Sequence, residues 1–68
     1  MALIILYDVK MKRDRIINTD YIFHCFEYDG GVRINYSEGG DSRDSCTIAG
    51  DLQDFAETIG AFRLGGAR

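Results

Sequence analysis

Tyr21-Ile22-Phe23-His24-Cys25-Phe26-Glu27-Tyr28-Asp29-Gly30-Gly31-Val32-Arg33-Ile34-Asn35-Tyr36 is the stretch that decides the fold. Two runs rich in β-branched and aromatic residues flank a glycine-punctuated turn, the pattern of a β-hairpin. In the first run, alternation sets Tyr21, Phe23 and Cys25 on one side and Ile22, Phe26 and Tyr28 on the other, so both faces are apolar. The second run alternates cleanly, with Val32, Ile34 and Tyr36 opposed to Arg33, Asn35 and Ser37.

Upstream, Leu3-Ile4-Ile5-Leu6-Tyr7-Asp8-Val9 reads as a strand whose apolar residues also face both ways. Such a strand is either covered on two sides or meets another subunit. Lys10-Met11-Lys12-Arg13-Asp14-Arg15 then concentrates positive charge in a hairpin turn. Lys10, Lys12, Arg13 and Arg15 are candidates for contact with phosphate or an acidic partner, while a solvated loop is the simpler account, since short charged turns usually do only that. Ile16-Ile17 resumes β character, and Asn18-Thr19-Asp20 has the side chains that hold a tight or 3₁₀ turn by bonding nearby backbone.

Downstream, residues 37–45 are almost without apolar side chains and predict a mobile loop. Gly39-Gly40 lacks the lysine and hydroxyl residue of a phosphate loop, and the acidic residues lack the ligand order of a calcium hand. Cys46-Thr47-Ile48-Ala49 is a short last strand. A helix follows over about residues 51–60, with Asp51 as its cap and Leu52, Phe55, Ala56, Ile59 and Phe62 forming one apolar stripe. Gly60 is placed to end it, and residues 64–68 predict a disordered tail.

These elements predict an α+β fold: one small antiparallel sheet of four or five strands, built from hairpins, with a single C-terminal amphipathic helix covering one face, in one domain over residues 1–63. A chain of 68 residues is short of core, because domains of this size bury only about 60% of the surface their unfolded chains expose. Disulfides, a metal or oligomerisation usually compensate. Two cysteines and one histidine are few for the first two, so a homodimer or higher closed oligomer is expected. Ile4, Leu6, Phe23 and Cys25 are its candidate interface residues.

The net charge of −3 weighs against nucleic acid without excluding a local basic patch. No apolar run is long enough to span a bilayer and no leader pattern is evident, which places the chain in the cytoplasm with Cys25 and Cys46 as thiols. His24 and Cys25 are neighbours on a strand and point to opposite faces, so they do not form a shared metal site or a nucleophilic pair. No acid/base constellation is evident, and neither an enzyme nor a cofactor is expected.

The order of these features resembles the flagellar FlbD/SwrD-type family of very small bacterial proteins. The matching pieces are Ile17-Asn18-Thr19-Asp20-Tyr21-Ile22, then Gly31-Val32-Arg33-Ile34 with Tyr36, the glycine pair, Cys46-Thr47-Ile48 and the helix from Leu52 to Ile59. Lys12-Arg13-Asp14 departs from the glycine-containing first turn of that pattern, and residues 41–45 read as an insertion. The resemblance implies a motility-linked role exerted through protein contacts without catalysis.

The function expected from the residues is a non-enzymatic protein interaction module, an oligomeric accessory or regulatory factor. Tyr28, Arg33 and Tyr36 are its candidate contact residues, since tyrosine and arginine are favoured at interface hot spots. The alternative is a small phage-borne or mobile-element regulator that meets nucleic acid, or an enzyme acting on it, through the basic turn 10–15 or through an acidic surface mimicking DNA.

Overall fold

The computed structural model describes residues 2–39, 42–61 and 64–65. Strands β1 (Leu3–Asp8) and β2 (Arg13–Asn18) form one antiparallel hairpin, with Ile4 opposite Ile17, Ile5 opposite Ile16 and Leu6 opposite Arg15. A single 3₁₀ turn, Thr19–Tyr21, leads into β3 (Ile22–Tyr28), β4 (Gly31–Gly39) and β5 (Ser42–Ala49), which form a second antiparallel sheet in the order β3-β4-β5. Helix α1 (Leu52–Ile59) follows β5. The α+β class holds, but the single sheet of four or five strands is corrected to two sheets, of two and three strands.

The reason for the division lies at Asn18. Its side-chain oxygen accepts the N–H of Asp20 at 2.9 Å and caps the 3₁₀ turn, which diverts the chain so that β2 and β3 do not pair. The N-terminal hairpin instead lies against the larger sheet. Val9 N–H donates to the Thr47 carbonyl at 2.8 Å, which joins the end of β1 to β5.

Tyr28 and Gly31 pair across a two-residue turn in which Asp29 and Gly30 both have positive φ, 52° and 79°. That is the turn whose twist matches a right-handed strand pair, and Asp-Gly is among its preferred sequences. The β4 alternation holds throughout: Val32, Ile34 and Tyr36 are buried, whereas Arg33, Asn35 and Ser37 are only half-buried. Ile17, Cys46 and Phe55 complete the buried core, with Ile4, Leu6, Ile22, Cys25, Ile48, Leu52 and Ile59 packed around it. The N-terminal hairpin and the helix therefore share the Val32/Ile34/Tyr36 face of the larger sheet.

Two local expectations are corrected. Residues 37–39 and 42–45 are strand: Ser37 pairs with Arg43 and Gly39 with Ser42. Backbone pairing needs no apolar side chains, and the register carried by Val32–Ile48 and Ile34–Cys46 propagates as far as Ser37–Arg43 before it shifts ahead of Gly39. In β3, a bulge between Ile22 and His24 breaks the alternation, so Phe23 does not share a face with the core-facing Cys25.

The helix follows its sequence signals. Asp51 accepts the N–H of Asp54 at 2.8 Å, and Gly60 adopts the left-handed conformation at the C-terminus. Phe55 is buried and Leu52, Ala56 and Ile59 are half-buried. Phe62 of the expected stripe and residues 66–68 of the expected tail lie outside the described residues, as do Gly40 and Asp41.

Candidate interaction site

Two surfaces and one internal cluster account for most of the side chains that the sequence singles out. The internal cluster begins at Asp8. One of its carboxylate oxygens accepts the N–H groups of Lys10 and Met11, at 3.0 and 3.2 Å, and so holds the β1–β2 turn. The other accepts Arg15 Nε at 3.1 Å. Arg15 Nη1 then donates to the Tyr36 hydroxyl at 2.7 Å and to Asp44 Oδ2 at 3.0 Å. Four polar side chains from β1, β2, β4 and β5 are thereby tied together at one end of the core, and among the described residues no buried side-chain nitrogen or oxygen is left unbonded.

Electrostatics follow from these contacts. Burial pushes the Asp8 carboxyl up, but N–H groups of Met11, Lys10 and Thr47 together with the Arg15 charge outweigh it and hold the group below the usual carboxylate range. Asp44 is also held low, first by the Ser45 N–H and, against some burial, by Arg15. Burial works against the Arg15 charge, yet its bonds to Asp44 and Tyr36 raise its pKa further.

The expected contact residues divide accordingly. Tyr36 is buried and Arg15 is spent on internal partners, so neither presents a free contact group, whereas Lys10, Lys12 and Arg13 are exposed. A sequence reading misses this because Tyr36 and Asp44 are far from Arg15 along the chain. The one available signal is that Arg15 shares strand parity with the buried Ile17.

The first surface is the outward side of the N-terminal hairpin. Ile4 and Leu6 turn inward onto the core, while Leu3, Ile5 and Tyr7 are exposed together with Ile16, the direct cross-strand partner of Ile5. The face assignment among the expected interface residues is therefore corrected: Ile4, Leu6 and the half-buried Cys25 face the core, and only Phe23 of that group is exposed. On β1 the outward apolar row is Leu3-Ile5-Tyr7.

The second surface is the side of the larger sheet turned away from the core. The rings of His24 and Phe26 have centroids 5.2 Å apart, and Phe26 meets Tyr28 edge-on at 6.2 Å. The Arg33 guanidinium lies 4.3 Å from the centre of the Tyr28 ring, with Lys10 Nζ at 5.8 Å from the same ring. Arg43 covers Phe23 at 5.3 Å, which places the bulged residue on this outward side. Tyr28 and Arg33 thus lie together on this side, whereas Tyr36, the third of the expected contact residues, is buried on the other.

Cys46 is buried and Cys25 half-buried, both as free thiols, while His24 is exposed on the outward side. Burial, with the Asp8 charge nearby, pushes the Cys46 thiol up to about 11. Among the described residues no three histidine, cysteine or acidic side chains are grouped to hold a metal ion, and no helix is long and apolar enough to cross a membrane. Comparison with family models, with curated proteins and with solved structures finds no match.

Proposed function

We propose that the chain is a non-enzymatic interaction module that works as a homodimer, joined through the outward side of the β1–β2 hairpin. The observation that carries this reading is the row Leu3, Ile5, Tyr7 and Ile16, each between 53% and 70% exposed on one face of a two-stranded sheet. A contiguous apolar patch of that kind marks an interaction surface on a soluble chain. A second copy is the partner that can match it residue for residue, since a two-fold contact sets the same patch against itself. The motility-linked accessory role implied by the family resemblance would be exerted through such contacts.

Light scattering across a dilution series tests the proposal, with the native chain and an Ile5→Glu variant compared. The expected result is a species of twice the 7.7 kDa chain mass that becomes monomeric, with unchanged secondary structure, in the variant. Ile5 is the suitable position because its side chain faces away from the core, whereas the inward Ile4 would report on folding. A native monomer at every concentration would overturn the reading.

A further inference from the structure

The outward side of the larger sheet differs in character from the rest of the chain. Its described residues are Phe23, His24, Phe26 and Tyr28 from β3, Arg33, Asn35 and Ser37 from β4, and Arg43, Ser45, Thr47 and Ala49 from β5. None of them is a carboxylate, although the chain as a whole has a net charge of −3. The β3 bulge adds a ring to the row that strand alternation alone would supply. Arg43, Arg33 and Lys10 stand over Phe23 and Tyr28 rather than being absorbed into the core.

We propose that this face is a stacking platform for single-stranded nucleic acid, independent of the hairpin surface assigned above to dimerisation. Unstacked bases bind on aromatic rings and on guanidinium planes, and cations beside the rings meet the phosphates. The row provides both kinds of plane, with the Arg33 guanidinium over Tyr28 and the Arg43 guanidinium over Phe23. Charge favours the ligand: among the described residues that strand register places on this face, Arg33 and Arg43 are cationic and none is acidic, so an anionic strand is drawn there. Asp29, paired with Lys10 at 3.6 Å, lies with Glu27 and Asp51 around the Tyr28 end of the platform, and these three carboxylates limit the phosphate contact there.

The test is fluorescence anisotropy with a labelled fifteen-nucleotide oligo(dT), repeated with oligo(rU), using the full chain. Binding is expected to be modest. With Arg33 and Arg43 engaged, it should weaken by about seven-fold between 50 and 200 mM salt. Phe23→Ala, at an exposed ring that the core does not need, should weaken binding by about five-fold or more. Arg43→Gln should make the salt dependence shallower, and Ile5→Glu should leave strand binding per chain unchanged. Binding to either oligonucleotide with these responses supports the proposal, and the pair shows which sugar is preferred. Absence of binding at low salt, capture of a proline-rich peptide instead of either strand, or binding unaffected by Phe23→Ala but lost on Lys12→Gln with Arg13→Gln would overturn it.

Discussion

Arg15 Nε meets Asp8 Oδ2 at 3.1 Å in a nearly water-free place, where Asp8 is 1% exposed and the Arg15 side chain 14%. Such a pair is expensive to form, because both ions leave water, and more expensive to break from one side. Its geometry also makes it structural in a specific way. Asp8 holds the β1–β2 turn, and Arg15 carries that end of the hairpin across to Tyr36 and Asp44 on the larger sheet.

Arg15→Met should therefore destabilise the chain by about 3–5 kcal/mol, measured by urea unfolding, since it strands the Asp8 charge. Asp8→Asn should also be costly. The amide can still accept the N–H groups of Lys10 and Met11, but its nitrogen would then face the Arg15 guanidinium.

Acid should act on the same cluster. Asp8 and Asp44 both sit below their ordinary pKa of 3.8 in the folded chain. At low pH the unfolded chain takes up protons that the folded chain refuses, so their contribution is present above that value and is lost as pH falls through and below it. Unfolding midpoints measured from pH 6 to pH 2 should fall most steeply below pH 4, and Arg15→Met should flatten that fall.

Adjacent glycines of the β3–β4 turn should respond differently to alanine. Gly30 has open space around it but a positive φ of 79°, so Gly30→Ala should cost about 1–2 kcal/mol in backbone strain. Asparagine, which tolerates that conformation, should recover most of the loss. Gly31 has room on no such terms, because a Cβ there would run into the Ile48 carbonyl oxygen of the neighbouring strand. Gly31→Ala should thus disturb β4–β5 pairing, and asparagine should not rescue it; thermal melts of the four variants check this.

Cys46 should resist alkylation at pH 8, since burial and the Asp8 charge push its thiol up to about 11. The folded chain keeps that proton while the unfolded thiol releases it near 9.0. Stability should consequently be intact below pH 9 and decline as pH rises toward 11. Iodoacetamide labelling read by mass, with and without urea, distinguishes protection by the fold from an intrinsically inert thiol.

The hairpin from Ile22 to Tyr36 and the helix were legible because each combines an apolar period with its own punctuation: Asp29-Gly30 for one, Asp51 and Gly60 for the other. The polar residues 37–39 and 42–45 read as loop in the sequence because a backbone ladder leaves no trace in side-chain polarity. The faces of β3 were misassigned because a bulge shifts parity by one residue and has no marker in Ile22-Phe23-His24. On β1, Ile4 and Ile5 are chemically identical, so only the fold says which is inward. The Asp8–Arg15–Asp44–Tyr36 cluster is a property of tertiary contact and was invisible to spacing.

The Val9–Thr47 hydrogen bond has a consequence for synthesis. It joins the end of the first strand to the last one, so during translation the N-terminal hairpin emerges long before its docking surface exists. Until Thr47 clears the ribosome, Ile4 and Leu6 on one side and Leu3, Ile5 and Tyr7 on the other are both wet. For that interval the nascent hairpin is the part of the chain most open to capture by a chaperone or by a neighbouring nascent copy on the same message.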